Sequence, residues 1–173
     1  MQSKCPDVLI KKEALVITKY TPISMKKVHE KINEVIFFTL EKSIKAYRKF
    51  AQQEINKQGY DLTIDQWLVL RTLQENKQLS QKQVADLLFK DFASITRIIE
   101  ILVQKEYVVR HISTGDRRTF ALEITDAGNK IIEAIYPIVI KNRKQALKNI
   151  NPNDLQHLKT QLEKLITNCT EPL

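Results

Sequence analysis

The sequence predicts a mainly α-helical protein with one small β-hairpin wing. Three observations predict it. Only three glycines and five prolines punctuate 173 residues, so loops are few and helices long. Three helix-start signals follow one another closely, at Thr63, Ser80 and Asp91. Two short, strand-like segments then flank the tip "STGDRR". Closely spaced helices followed by such a hairpin make a winged helix-turn-helix. Here it is flanked on both sides by long helices suited to dimerisation.

Residues 1–27 read as a leading arm, in which "DVLI" and "ALVITKY" have strand-like composition and Pro6 and Pro22 punctuate. From about Val28, the approximately helical stripe Ile32, Val35, Ile36, Thr39, Ile44, Tyr47, Phe50 and Ala51 predicts a helix. Gly59 is its natural stop. Thr63 with Gln66 three residues later forms a capping box. Leu68, Val69 and Leu73 supply the apolar face of the helix that follows. Ser80 with Gln83 repeats the device, and Asp91 caps a third helix, "FASITRIIEILVQK". "YVVRHI" and "TFALEI" then read as strands. In the second, Phe120, Leu122 and Ile124 share one face, and that alternation marks a buried side. Thr125 and Asp126 open a long helix through Ile150, with a kink expected at Pro137. Asn151 caps the last helix, with Pro152 at its first position. Leu155, Leu158, Leu162, Leu165 and Ile166 run down one side of it.

The expected organisation is therefore a leading arm (1–27), a helical dimerisation region (28–60 and 125–173) and a winged helix-turn-helix (61–124). A winged unit of about 60 residues needs no long apolar helices at both ends for its own core. Packing them together and against a second copy buries their stripes, which predicts a homodimer.

The net charge is +8 and the pI about 9.4. Such a field favours polyanions, nucleic acid first and anionic membrane second. No apolar run approaches the roughly 20 residues that span a bilayer. Lys11, Lys12 and Glu13 interrupt the apolar residues near the start, unlike a signal peptide. Cys5 and Cys169 lie at opposite ends without metal-ligand spacing, so no metal and reduced thiols are expected, as in the cytoplasm. His29, His111 and His157 fall in separate elements, with no nucleophile–base pair and no glycine-rich phosphate loop. This predicts neither an enzyme nor a cofactor.

The third helix carries the candidate chemistry. By spacing, Phe92, Ile95, Ile98, Ile99 and Leu102 face inward, while Ala93, Ser94, Thr96, Arg97, Glu100 and Gln104 face outward. Small or hydrogen-bonding residues with one arginine suit a helix that enters a major groove roughly 12 Å wide. Ser94 and Thr96 are read as bonding phosphates or base edges, and Arg97 as reaching guanine or a phosphate. Ser80, Gln81 and Lys90 join the candidate DNA-contact set. At the hairpin tip, Arg117 and Arg118 are placed to enter a minor groove, where arginine is favoured. Asp116 is placed to hold an arginine in one direction.

The stretch "LSQKQVADLLFKDFASITRIIEILVQKEYVVRHISTGDRRTFALEITDAG" resembles the multiple-antibiotic-resistance regulator (MarR) family of bacterial transcription factors. The likeness runs from about Leu62 to Gly128, and "DRR…L.IT.AG" is its most specific part. The resemblance implies a homodimer on a palindromic operator, often a repressor released by a small phenolic or lipophilic ligand or by thiol oxidation. It places recognition-helix contacts on Ala93, Ser94, Thr96 and Arg97, and a wing pair on Asp116 and Arg118, with Arg117 between them. A family-type ligand pocket between dimerisation helices and winged unit draws attention to Tyr47, Trp67, Arg71 and His111. The redox branch's sensing cysteine has no counterpart in Cys5 or Cys169. Where many members have glycine, this chain has Phe89 and Glu106; a side chain is costly in a left-handed turn, so altered turn geometry is expected there. The alternative reading is a winged-helix protein-interaction or dimerisation module without specific DNA binding. Arg97 together with an arginine-bearing wing argues against it.

Overall fold

The computed structural model describes residues 31–112 and 120–170. The leading arm and the wing tip, with Asp116, Arg117 and Arg118, lie outside the described residues. The chain divides into two units, 1–41 and 42–173. In the first, a 3-10 turn covers Ile32–Glu34. Val35 is then extended, with φ −76° and ψ 122°. An α-helix cannot run through that conformation, so the predicted helix begins later than its apolar pattern, at Ile36.

Helix α1 (Ile36–Lys57) ends two residues before Gly59, whose φ is +80°. Helix α2 (Ile64–Glu75) starts at the predicted capping box: Gln66 N donates to Thr63 Oγ1 at 3.1 Å, and Thr63 N donates to Gln66 Oε1 at 3.0 Å. A two-residue strand β1 (Leu79–Ser80) leads into α3 (Gln81–Leu87). Helix α4 (Phe92–Gln104) follows, then β2 (Val108–Ile112), β3 (Phe120–Ile124), α5 (Asp126–Ala146) and α6 (Pro152–Thr170). Helix α5 passes through the exposed Pro137 and stops earlier than predicted. Asn149, at φ 64°, turns the chain towards α6, where Asn153 N donates to Asn151 Oδ1 at 2.8 Å.

The sheet is antiparallel with order β1-β3-β2, so the predicted hairpin gains a third strand. Leu79 pairs with Leu122 and Ser80 with Ala121, while Arg110 pairs with Leu122 across the other edge. On the expected buried face of β3, Leu122 is fully buried and Ile124 half-buried, but Phe120 at the strand's outer end is exposed.

Helix α2 is the hub of the core and touches α3, α4, α5 and β3. Its Val69 and Leu70 are sealed from solvent, as are Val84 of α3, Ile95, Ile99 and Leu102 of α4, and Ile135 of α5. Burying a side chain of this kind stabilises by about 1.5–3 kcal/mol. Helix α6 is different: none of its residues is buried.

Candidate nucleic-acid interface and a cavity beside α2

Two capping devices fix the starts of α3 and α4. Ser80 Oγ accepts from Gln83 N at 3.3 Å, and Gln83 Oε1 accepts from Ser80 N at 2.8 Å. Because Ser80 is also paired into the sheet, the start of α3 is fixed to β3. At α4, Asp91 Oδ1 accepts from Ser94 N at 2.8 Å and Oδ2 from the Ser94 hydroxyl at 2.6 Å. Those two bonds hold the Asp91 carboxyl below its ordinary pKa, so the cap stays ionised beside the positive end of the helix.

Between the helices the chain turns without glycine. Phe89 (φ 51°) closes α3, with Lys90 N donating to Ala85 O at 3.0 Å. Glu106 (φ 58°) closes α4 in the same way, with Tyr107 N donating to Leu102 O at 2.9 Å. Both are helix-ending turns through a left-handed residue. The altered geometry expected at these two positions is therefore not found. The backbone keeps the left-handed turn and bears its strain, about 1–2 kcal/mol for a residue with a Cβ. Phe89 stands 88% exposed, beside exposed Leu87 and Phe92. Phe92 was assigned inward by spacing, but it is the first residue of α4 and 57% exposed. No earlier helical turn lies over it to cover it.

The segment "ITDAG" fixes the other end of the unit. Thr125 Oγ1 accepts from Gly128 N at 3.0 Å and donates to Glu106 O at 2.7 Å, while Thr125 N donates to Tyr107 O at 3.0 Å. One residue thus caps α5 and ties it to the turn after α4. A Cβ on Gly128 would lie 2.4 Å from Tyr107 O and 2.7 Å from Ile124 Cγ1, so this approach requires glycine.

The outward face of α4 carries exposed Ala93, Arg97, Glu100 and Gln104, with Ser94 and Thr96 half-buried. The hydroxyl of Ser94 is spent on Asp91 and that of Thr96 on Phe92 O, at 2.8 Å. As arranged, both have only acceptor capacity left, which suits a base amine better than a phosphate. Gln81 of α3 is brought to the same face, its Nε2 3.4 Å from Thr96 Oγ1. Lys90 is not: its Nζ lies 3.1 Å from Asp65 Oδ1.

Asp65, near the start of α2, was not singled out by the sequence. Arg48 Nη2 of α1 donates to the same Oδ1 at 2.5 Å. Partial burial pushes the Asp65 carboxyl up, but the hydrogen bonds and charges of Arg48 and Lys90 outweigh it and hold the group below its ordinary pKa. The two cations come from α1 and from the turn before α4, too far apart in sequence to read as a site.

A cavity of about 200 Å³ lies between α1, α2 and α5, lined by Tyr47, Arg48, Ala51, Ile55, Trp67, Leu68, Val139, Asn142 and Arg143 among others. Of the four candidate pocket residues, Tyr47 and Trp67 are there. Arg71 instead bonds Gln74 and Glu75 on the surface of α2, and lines a separate, shallower hollow with Tyr136 and Pro137. His111 Nε2 sits 2.9 Å from Glu123 on the exposed face of the wing strands. Arg48, Asn142 and Arg143 were missed. Trp67 Nε1 and Asn142 Nδ2 are both buried and, among the described residues, without a hydrogen-bond partner. A buried unpaired donor costs about 1–3 kcal/mol.

Among the described residues, no group of His, Cys, Asp and Glu could hold a metal, and no helix is long and apolar enough to cross a membrane.

Residues 62–120 match the family model described as the MarR family. The chain is 27% identical over 107 residues to the HTH-type transcriptional regulator SarZ of Staphylococcus aureus, covering 61% of this chain and 68% of SarZ. Among solved structures, the S. aureus MepR–DNA complex superposes with TM-score 0.70 at 19% identity, over 78% of this chain and 98% of that one. Bordetella bronchiseptica BpsR, whose DNA binding is regulated by 6-hydroxynicotinic acid, gives TM-score 0.73 at 21% identity, over 79% and 96%. At such identities these two structures establish the shared fold.

Proposed function

The chain is a MarR-family DNA-binding transcription regulator by its residues 62–120, and from that premise we propose that it is a cytoplasmic homodimeric repressor of a palindromic operator, released by a small ligand. The observation that carries the reading is helix α4. Its inner face is sealed by Ile95, Ile99 and Leu102, while Arg97 stands exposed on the outer face beside Ala93, Ser94 and Thr96. In this reading α4 enters the major groove, Gln81 and Thr96 flank the contact, and Ser80 positions α3 over the backbone. Arg118, steadied by Asp116 and accompanied by Arg117, takes the adjacent minor groove.

Residues 61–124 form the DNA-binding domain in this proposal, and 28–60 with 125–173 the dimerisation region. The unburied apolar stripe of α6 supports the homodimer. A two-fold dimer then places half-site centres about one helical turn apart. The ligand reading takes support from the cavity with Tyr47 and Trp67 in its wall; Arg71 and His111 lie away from it.

The test is selection of duplexes from a random-sequence pool, followed by footprinting. An inverted repeat is expected, and Arg97→Ala should cost about 1–3 kcal/mol per subunit and relax preference at one position of each half-site. Recovery of no preferred sequence would overturn the reading.

A further inference from the structure

Helix α4 opens with Phe92, whose ring is 57% exposed, and with Ala93, which is exposed beside it. At about 3.6 residues per turn, Phe92 stands one turn before Thr96 and Ala93 one turn before Arg97. The two residues therefore lead the same outward face that carries Thr96 and Arg97. That face is divided by chemistry. Its second turn is polar, and its first is apolar. The one hydroxyl in the first turn is engaged, since Ser94 Oγ donates to Asp91 Oδ2 at 2.6 Å. The backbone under the ring is held from both sides. Asp91 caps the turn through Ser94 N at 2.8 Å, and Thr96 Oγ1 donates to the Phe92 carbonyl, also at 2.8 Å. The phenyl group is thus the largest exposed side chain of the first turn, and it is carried on a fixed backbone.

A recognition helix meets base edges with the residues at its start. In the major groove, base pairs offer donors, acceptors and one apolar group, the C5-methyl of thymine. A phenyl ring forms no hydrogen bond with donors or acceptors, and covering them leaves them unpaired. Its favourable partner in that groove is the methyl. We propose that Phe92 reads a thymine through its C5-methyl, and so is a specificity-determining residue of α4. The proposal rests on the DNA-binding reading of this helix and adds a base identity to it. Each half-site carries a thymine at one fixed position, distinct from the position that Arg97 reads. The contact involves no charge, so it separates one sequence from another without adding to the salt-dependent attraction for phosphate.

Deoxyuridine pairs as thymidine does and lacks only the methyl, so it isolates this contact. In a duplex selected from a random-sequence pool, thymines of the footprint are replaced by deoxyuridine in symmetry-related pairs. For one such pair, the wild-type protein should lose about four-fold in affinity per half-site, the worth of one buried methyl-sized group. Phe92→Ala should bind the thymine duplex about as weakly as the wild type binds the uracil duplex, and should no longer distinguish the two. Phe92→Leu keeps an apolar side chain and should recover part of the discrimination. Affinity for unrelated duplexes and the salt dependence should stay at wild-type values in both variants. Should Phe92→Ala lose cooperative melting, Phe92→Ser carries the same expectation. A selected duplex in which no thymine methyl matters overturns the proposal. So does a Phe92→Ala protein that keeps the wild-type discrimination, because the methyl then belongs to another residue. An equal loss on selected and unrelated duplexes also overturns it, by making the ring a contact to the backbone. A wild-type protein that selects no duplex at all sinks the DNA-binding reading and this proposal together, whereas a selected duplex indifferent to uracil sinks the proposal alone.

Discussion

Helices α4 and α6 are both amphipathic, with apolar residues at helical spacing along one side. Helix α4 completes that side inside its own chain: Ile95, Ile99 and Leu102 are fully buried against α2, α3 and the sheet. In α6, Leu155, Leu162 and Leu165 are only half-covered, and Leu158 and Ile166 are 48% and 51% exposed. The same sequence pattern thus has two physical meanings. In α4 it is a core, and what remains outside is free to specialise for recognition. In α6 it is an unmet demand for apolar surface, the kind that marks contact with another chain.

The comparison breaks most completely if α6 is made polar. Leu158→Asp combined with Ile166→Asp should abolish the proposed dimer and leave the winged unit folded, read as a halved mass in sedimentation with an unchanged cooperative melt. Unaltered mass would show that this stripe is not the interface. The complementary change strikes the recognition side. Gly128→Ala inserts a Cβ 2.4 Å from Tyr107 O, and should cost about 1–3 kcal/mol in urea unfolding, with the mass unchanged.

A smaller effect comes from Asp65. Its carboxyl titrates lower in the folded chain than in the unfolded one. Its contribution is therefore complete above the ordinary carboxylate range, about pH 4, and is lost as pH falls through the folded value. Asp65→Asn should cost about 1 kcal/mol at pH 7, discounted for partial exposure. The gap between the two melting curves should close in acid. A gap that widens on acidification would contradict this sign. Smallest is Phe89→Gly. It relieves a left-handed side chain that packs on little, but adds unfolded-state freedom, so a net gain of about 0.5 kcal/mol is expected from chemical unfolding. A loss would show that the exposed ring contributes a contact.

What the sequence disclosed and what it hid follow from range. Thr63, Ser80, Asp91, Thr125 and Asn151 act on residues two or three positions away, so the starts of α2 to α6 were legible, whereas α1, with no such cap, starts later than its apolar pattern. Strand β1 was not, because two residues carry no alternation and their partner Leu122 lies far along the chain. Phe92 fits the inward spacing of α4, but spacing does not register that a first turn has nothing above it. The four proposed pocket residues divided for a similar reason. Tyr47 and Trp67 line the cavity, whereas Arg71, one turn after Trp67, and His111 found acidic or amide partners beside them on the surface. Asp65 escaped notice because its meaning depends on Arg48 and Lys90, brought to one oxygen from two different parts of the fold.

The pairing of β1 with β3 also bears on how the unit is assembled in time. Leu79 and Leu122 are held together across about 40 intervening residues, a closure whose entropy must be met before the pair contributes anything. Helices α3 and α4 consolidate through neighbours three or four residues away and through an adjacent turn. They have no such wait. Early in folding, then, the two helices can dock while the wing remains open, and the sheet closes last, over a helix pair already in place. The strand that fixes α3 to the wing in the finished protein is in this sense a latch and not a foundation.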